Sequence, residues 1–181
     1  LEALKETFGF ADGPLFQQYI DYLRHLFQGD FGVSISYFPQ PVTEVISSGL
    51  YWTLFLAGTS LVISFLLGSI IGIYLAWNRD QKLDSFLIPS LSFLGAFPYF
   101  WIAMLLLYYF GFKLDWFPLR HAYSQYVTPG LNFEFISSVF SHYVLPAFTL
   151  IFVSLGGWML SMRNNMISTL GSEYINYAKA I

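Results

Sequence analysis

The chain has 181 residues, of which 56% are hydrophobic, 21% aromatic and 10% charged, with a mean hydropathy of +0.56 and a formal net charge of −3. An ordinary soluble domain carries roughly 25% charged residues, so this composition points to lipid. It offers no basic field for nucleic acid, and the lack of cysteine excludes disulfides and thiolate metal sites without fixing the compartment.

The opening LEALKETFGF has no basic stretch ahead of an apolar core, so no signal peptide is expected there. Residues 1–49 are expected to form an extracytoplasmic segment. Three runs follow, at 50–77, 86–112 and 143–162, none with a single Asp, Glu, Lys or Arg. At about 1.5 Å per helical residue each reaches the roughly 30 Å of a hydrocarbon core, and the first two exceed it, which predicts tilt or interfacial ends. The fold class expected is therefore all-α, a polytopic transmembrane helical bundle with three spans. The tight loop NRDQKLD holds Arg79 and Lys82, and the stretch after the third run holds Arg163 and Lys179. The longer 113–142 connection has only Lys113 and Arg120. Positive residues concentrate on the cytoplasmic side, which places 1–49 and 113–142 outside. Tyr51, Trp52, Trp77, Trp116 and Tyr143 fall near span ends, where amphipathic rings suit the headgroup zone. With the N-terminal segment outside, a chain made in the cytoplasm must cross once before residue 1, so the sequence is expected to be a piece of a longer protein.

Enzymatic machinery is missing from the pattern. His25, His121 and His142 lie far apart without HExxH or cysteine partners, which fits solvated or interfacial histidines, and neither a P-loop nor GxSxG occurs. No cofactor is expected in this chain. The spans also lack ionisable residues, which argues against a proton relay. They contain packing and bending chemistry instead. Gly68 and Gly72 form a GxxxG, with Ser64 one turn before, for which packing within the chain is the default. Pro98, in LGAFPYFW, removes a backbone N–H in mid-membrane and predicts a bend. With Phe97, Tyr99, Phe100 and Trp101 around it, that bend either lines a passage or is a structural kink.

The last stretch, RNNMISTLGSEYINYAKAI, is too polar to cross a bilayer. Ile167, Leu170, Tyr174, Tyr177, Ala178 and Ile181 recur on one helical face, while Asn165, Ser168, Thr169, Ser172, Asn176 and Lys179 fall largely on others. Gly171 predicts a break, and Ser172 a cap for a new short helix with Glu173 in its first turn. Surface anchors favour several basic residues on the polar face. A protein partner fits this face better than lipid.

SEYINYAKAI resembles the start of the EAA motif of ABC importer permeases, in the form used by the dipeptide/oligopeptide permease family: Glu173, Tyr174, Ile175, Ala178, Lys179 and Ala180 match, and the chain stops where the family's next Gly would stand. Other landmarks fall in the family's order. FQQYIDYLRHLFQGDFGVS is similar to its extracytoplasmic stretch, with Gly29, Asp30, Phe31 and Gly32. PQPVTEVI resembles its Pro-Val lead into a span, GAFPYFWIAMLLL its Pro-x-Phe-Trp helix, and HYVLPAFTL its Leu-Pro-Ala entry. LDWFP resembles its Gly-Trp-Phe-Pro turn, with Asp115 in place of Gly. Arg163 and Met166 match the approach to the EAA segment.

The resemblance implies a partial transmembrane domain of the type I ABC importer kind over 50–181, in a multi-pass protein of the prokaryotic plasma membrane. One further span is expected before this sequence and two after it. The implied partners are a second permease subunit, two ABC ATPase subunits, an extracytoplasmic solute-binding protein and the lipid bilayer. On this reading 172–181 begins a coupling helix seated on the ATPase, with Glu173, Tyr174, Ala178, Lys179, Ala180 and Ile181 as contacts. Phe97, Pro98, Tyr99 and Trp101 are candidates for the translocation path. Peptides are the default substrate, with nickel or oligosaccharides as alternatives within the family, and a structural or assembly subunit is the rival from another class.

Overall fold

The computed structural model describes residues 14–78, 82–172, 175 and 177. It is helical throughout: α1 (Leu15–Phe27), α2 (Val42–Trp77), α3 (Lys82–Gly95), α4 (Tyr99–Leu106) running on into a π-helical stretch (Leu107–Lys113), and α5 (Phe133–Leu170). Among the described residues, β pairing is confined to an isolated bridge between Val33 and Pro41. By internal contacts the chain divides into two units, Leu1–Leu54 and Phe55–Ile181.

In the first unit, α1 ends at a loop shaped by two glycines. Gly29 and Gly32 have φ of 81° and 71°, a region where side chains with a Cβ are strained. Between them Asp30 turns the chain, its carboxylate accepting the Gly32 N–H at 3.0 Å and meeting the His25 ring at 3.2 Å. The Gly32 carbonyl then accepts the Val42 N–H at 2.9 Å, so the loop is closed at the point where α2 begins. This accounts for the Gly-Asp-Phe-Gly spacing read from the sequence.

α2 is longer than the expected span. It begins at Val42 rather than at residue 50, because the polar residues ahead of the apolar run satisfy themselves along the helix: Ser47 donates to the Glu44 carbonyl, Ser48 to that of Val45 and Thr53 to that of Gly49. Its 36 residues extend about 54 Å, well beyond the hydrocarbon thickness. α5 likewise outruns residues 143–162 at both ends. Asn132 caps it by accepting the Phe135 N–H at 2.7 Å, and Glu134 lies in the first turn, where the helix dipole favours an acid.

The expected second span is not one bent helix. Pro98 has no N–H to continue the ladder and disfavours a helical Phe97, so α3 stops at Gly95 and α4 starts afresh at Tyr99 with Pro98 as its N-cap residue. After α4 the chain widens into the π-helical stretch and folds back. The Phe110 carbonyl accepts the Trp116 N–H at 2.8 Å, and the two rings pack at 5.6 Å. Asp115, in the turn between them, has φ of 53°. The family's glycine at this position thus has a backbone reason, and Asp is one of the few other residues that tolerate it.

The second unit is held by helix backbones in close approach. Ser60, Ser64, Gly68, Gly72 and Ala76, one helical turn apart on α2, are all buried. A Cβ on Gly68 would stand 2.6 Å from the Trp158 Cβ, and one on Gly72 would stand 2.5 Å from the Met159 carbonyl oxygen and 3.0 Å from the Arg163 nitrogen. The GxxxG therefore packs within the chain, against α5. At the far end Thr59, whose hydroxyl donates to the Phe55 carbonyl, accepts from the Tyr143 hydroxyl at 2.8 Å. Contacts that climb together from Thr59 and Tyr143 to Gly72 and Arg163 make α2 and α5 parallel. α3 runs the other way: Gly156 of α5 meets the Leu91 carbonyl, at 2.7 Å from an added Cβ, and Gly95 faces Val153. Leu75, Leu91 and Met159 fill the space among the three helices, flanked by Ile71, Leu87, Ile88, Leu155 and Leu160. Parallel α2 and α5 with an antiparallel segment between them is the arrangement of a chain that crosses, returns and crosses again. In the most apolar windows of α2 and α5 only 22% and 28% of residues are buried, unlike the core helices of a soluble protein.

Two outcomes follow for the detergent-solubilised full-length protein. Gly72→Leu must push α2 from α5 against backbone atoms and is expected to cost about 1–3 kcal/mol; a lowered thermal unfolding midpoint checks this, with Gly157→Ala, whose site is open, leaving the midpoint in place. Asp115→Gly relieves the left-handed backbone, while Asp115→Val pays about 1–2 kcal/mol for it, so the midpoints of these two variants should move in opposite directions.

Candidate translocation and coupling site

The two site regions expected from the sequence lie at different places on the chain. The first is the break between α3 and α4. Phe97 packs edge-on to Phe93 at 5.0 Å and Tyr99 edge-on to Phe100 at 6.2 Å, so the rings of the α3 end and the α4 start each brace a neighbour along the chain. Phe97, Tyr99 and Trp101 are all exposed in this chain taken alone. Pro98, the N-cap residue, makes no side-chain capping bond to α4, and its carbonyl accepts the Trp101 N–H at 3.0 Å. No Asp, Glu, Lys, Arg or His stands among these residues. Chemically the break offers aromatic faces and backbone dipoles, suited to apolar and stacking contact rather than to charge recognition.

The second region is the end of α5. The helix continues past residue 162 to Leu170, and Met162, Arg163, Met166, Ile167 and Leu170 are half-buried along one side while Asn165, Ser168 and Thr169 are exposed. The face anticipated from Ile167 and Leu170 is therefore real over this stretch. The helix ends in a turn at Gly171 and Ser172, where the break was expected. The Ser172 hydroxyl donates back to the Thr169 carbonyl, and its backbone carbonyl accepts the Ile175 N–H at 3.2 Å. Ile175 and Tyr177 are helical, and Tyr177 is 71% exposed. Glu173, Tyr174, Ala178, Lys179, Ala180 and Ile181 lie outside the described residues.

What joins these regions is the backbone contact already described. Gly72 touches α5 at Met159, Met162 and Arg163, at the level where α5 leaves the expected span, and Gly156 touches α3 near Leu91, a few residues before the break. The end of α5 is thus joined to α2 and α3 by close approaches that leave no room for a Cβ at Gly68, Gly72 or Gly156. Sequence reasoning missed Gly156 and the Thr59–Tyr143 bond. The Gly156-Gly157 pair inside an apolar run was the available signal for the first. Nothing local marks the second, because its partners are 84 positions apart.

The histidines stay in separate local networks. His25 meets Asp30, the His121 ring lies 3.1 Å from Gln125 Nε2, and the His142 Nδ1 donates to the Ser138 carbonyl at 2.7 Å. Among the described residues no group of three or more His, Cys, Asp or Glu is placed to hold a metal ion.

Residues 68–181 match the model of a family described as the binding-protein-dependent transport system inner membrane component. The chain is 35% identical over 181 residues to the dipeptide transport system permease protein of Lactococcus lactis subsp. cremoris, covering 99% of this chain and 54% of that one. It is 34% identical to the oligopeptide transport system permease protein of Bacillus subtilis, with 99% and 55% covered, and 33% identical to the glutathione transport system permease protein of Salmonella typhimurium, with 93% and 50% covered. The chain thus spans about half the length of these relatives. With the family model matching most of the chain and these relatives at 33–35% identity, the chain belongs to the family of binding-protein-dependent transport inner-membrane components, among its peptide permeases.

Proposed function

We propose that this chain is part of a permease subunit of an ATP-driven ABC importer. It forms one wall of the path for peptides or similar small solutes and receives its driving motion from a separate ATPase. The observation that carries this reading is the continuity of α5. A single helix of 38 residues runs from the 133 end, expected outside, through the bilayer and out to Leu170, immediately before the EAA-like segment. A short helix with one apolar face and few basic residues suits a protein groove, as an amphipathic ligand helix does. Seated on an ATPase, it would turn nucleotide-driven closure into a displacement of α5, carried to α2 and α3 through Gly68, Gly72 and Gly156.

In this scheme the chain itself performs no catalysis and holds no cofactor; ATP is hydrolysed on another subunit. A second permease subunit completes the path, two ATPases sit on the cytoplasmic side, and a solute-binding protein delivers from outside. Tyr174, Ala178 and Ile181 dock, and Glu173 and Lys179 set the register. The aromatic break at Phe97, Pro98, Tyr99 and Trp101 faces the solute. Peptides are preferred over nickel or oligosaccharides because the similar proteins are named as dipeptide, oligopeptide and glutathione permeases. The inner membrane of a prokaryote is the corresponding location.

The test is made on the full-length subunit purified with its partners and placed in proteoliposomes. Glu173→Lys and Ala178→Trp are each expected to lose the co-purifying ATPase and to lower ATP-dependent peptide uptake about tenfold or more, a change of roughly 1.4 kcal/mol or greater in the coupling contact. An unaltered complex with unaltered uptake would contradict the proposal, as would uptake that needs an ion gradient and no ATP.

A further inference from the structure

We infer that α1 is an interfacial helix, lying in the outer surface of the bilayer with its apolar side among the lipid chains. At about 100° per residue its side chains divide cleanly. Leu15, Phe16, Tyr19, Ile20, Tyr22 and Phe27 fall within one contiguous arc of roughly 160°, and none of them is buried, with Leu15 83% and Phe27 85% exposed. Leu23 and Leu26, half-buried, fall within the same arc. Gln17, Gln18, Asp21, Arg24 and His25 occupy the opposite side. An apolar arc that wide on an exposed helix requires a cover.

The cover is fixed by what α1 is tied to. Gly32 is hydrogen-bonded to Val42, so only the short loop from Phe27 to Gly32, at most about 17 Å when extended, separates the end of α1 from the start of α2. From Val42 the uncharged run of α2 begins just after Glu44, and residue 50 lies about 12 Å along the helix axis. α1 is therefore held within reach of the plane where α2 enters the hydrocarbon. Such helices sink their apolar face about 5–10 Å into the headgroup and acyl boundary. Tyr22 stands at the margin of the arc, where a phenol hydroxyl meets headgroups and its ring stays with the chains.

The polar side shows what kind of lipid contact this is. Arg24 is offset by Asp21 on the same side, and the His25 ring is engaged by Asp30. With almost no net charge, attachment comes from the apolar arc and does not depend on anionic headgroups. This inference rests on the membrane location of the family and not on transport.

The experiment places a spin label singly on α1 of the full-length protein in phosphatidylcholine vesicles, in a background without other cysteines. Phe16→Cys, Tyr19→Cys and Leu23→Cys are compared with Gln17→Cys, Asp21→Cys and Arg24→Cys, reading relaxation by oxygen, which concentrates in lipid, against a water-soluble nickel chelate. The first set should favour oxygen and the second nickel, alternating with the helical period, and the pattern should persist at high salt and with added phosphatidylglycerol. Leu61→Cys, on an exposed face of α2, reports whether the protein has inserted. If Leu61→Cys reads lipid while every α1 position reads water, the inference fails and the membrane assignment stands. Protection of the Phe16, Tyr19 and Leu23 positions from both reagents overturns it in favour of a protein cover.

Discussion

Backbone-to-backbone contact at three glycines is the constraint on which the second unit depends. Helices in lipid gain little from apolar burial between them, because lipid tails are as apolar as leucine, so close approach has to supply the attraction. Gly68 and Gly72 bring α2 onto α5, and Gly156 brings α3 onto α5 from another side. The surrounding large side chains, such as Met159 at 0% exposure and Leu75 at 1%, fill the space that this approach defines. Phe65 and Trp158 meet edge-on at 5.1 Å beside Gly68, and the Phe55 ring lies 5.4 Å from that of Tyr143 near the other end. Rings thus flank the glycine seam.

The consequence for function is mechanical. A seam of backbone contacts has few rotamers to absorb displacement, whereas a seam of long side chains yields locally. α2 and α5, parallel and locked over several turns, therefore act as a paired strut. The interrupted α3–α4 segment is different in kind. Its break at Ala96, Phe97 and Pro98 lacks a continuous hydrogen-bond ladder and is the place where this segment bends most readily. The stiff and the compliant parts meet close to Gly156.

Much of this was legible from residue types alone. Runs without charge gave the three apolar segments, Gly68 and Gly72 gave the packing face, and the alternation of Ile167 and Leu170 with Asn165, Ser168 and Thr169 gave the exit helix. The helices run beyond the apolar stretches because serine, threonine and asparagine continue or cap a helix through hydrogen bonds that an apolar-run criterion does not see; Val42 and Asn132 are the instances. Pro98 was read as a bend in one helix, but the loss of its N–H together with the restriction on Phe97 stopped the helix altogether. The amphipathic division of α1 was present in the sequence and passed unread beside the more apolar runs.

The central claim is that α2 and α5 form one rigid pair, which under the proposed function moves as one body. Spin labels at Ile70→Cys and Ser161→Cys, both on exposed positions, measure the separation of the pair by electron–electron dipolar coupling in the assembled, lipid-reconstituted transporter. The account predicts the same distance distribution with nucleotide absent and with ATP trapped, in preparations that take up solute. A distribution that shifts with nucleotide while uptake proceeds would contradict it.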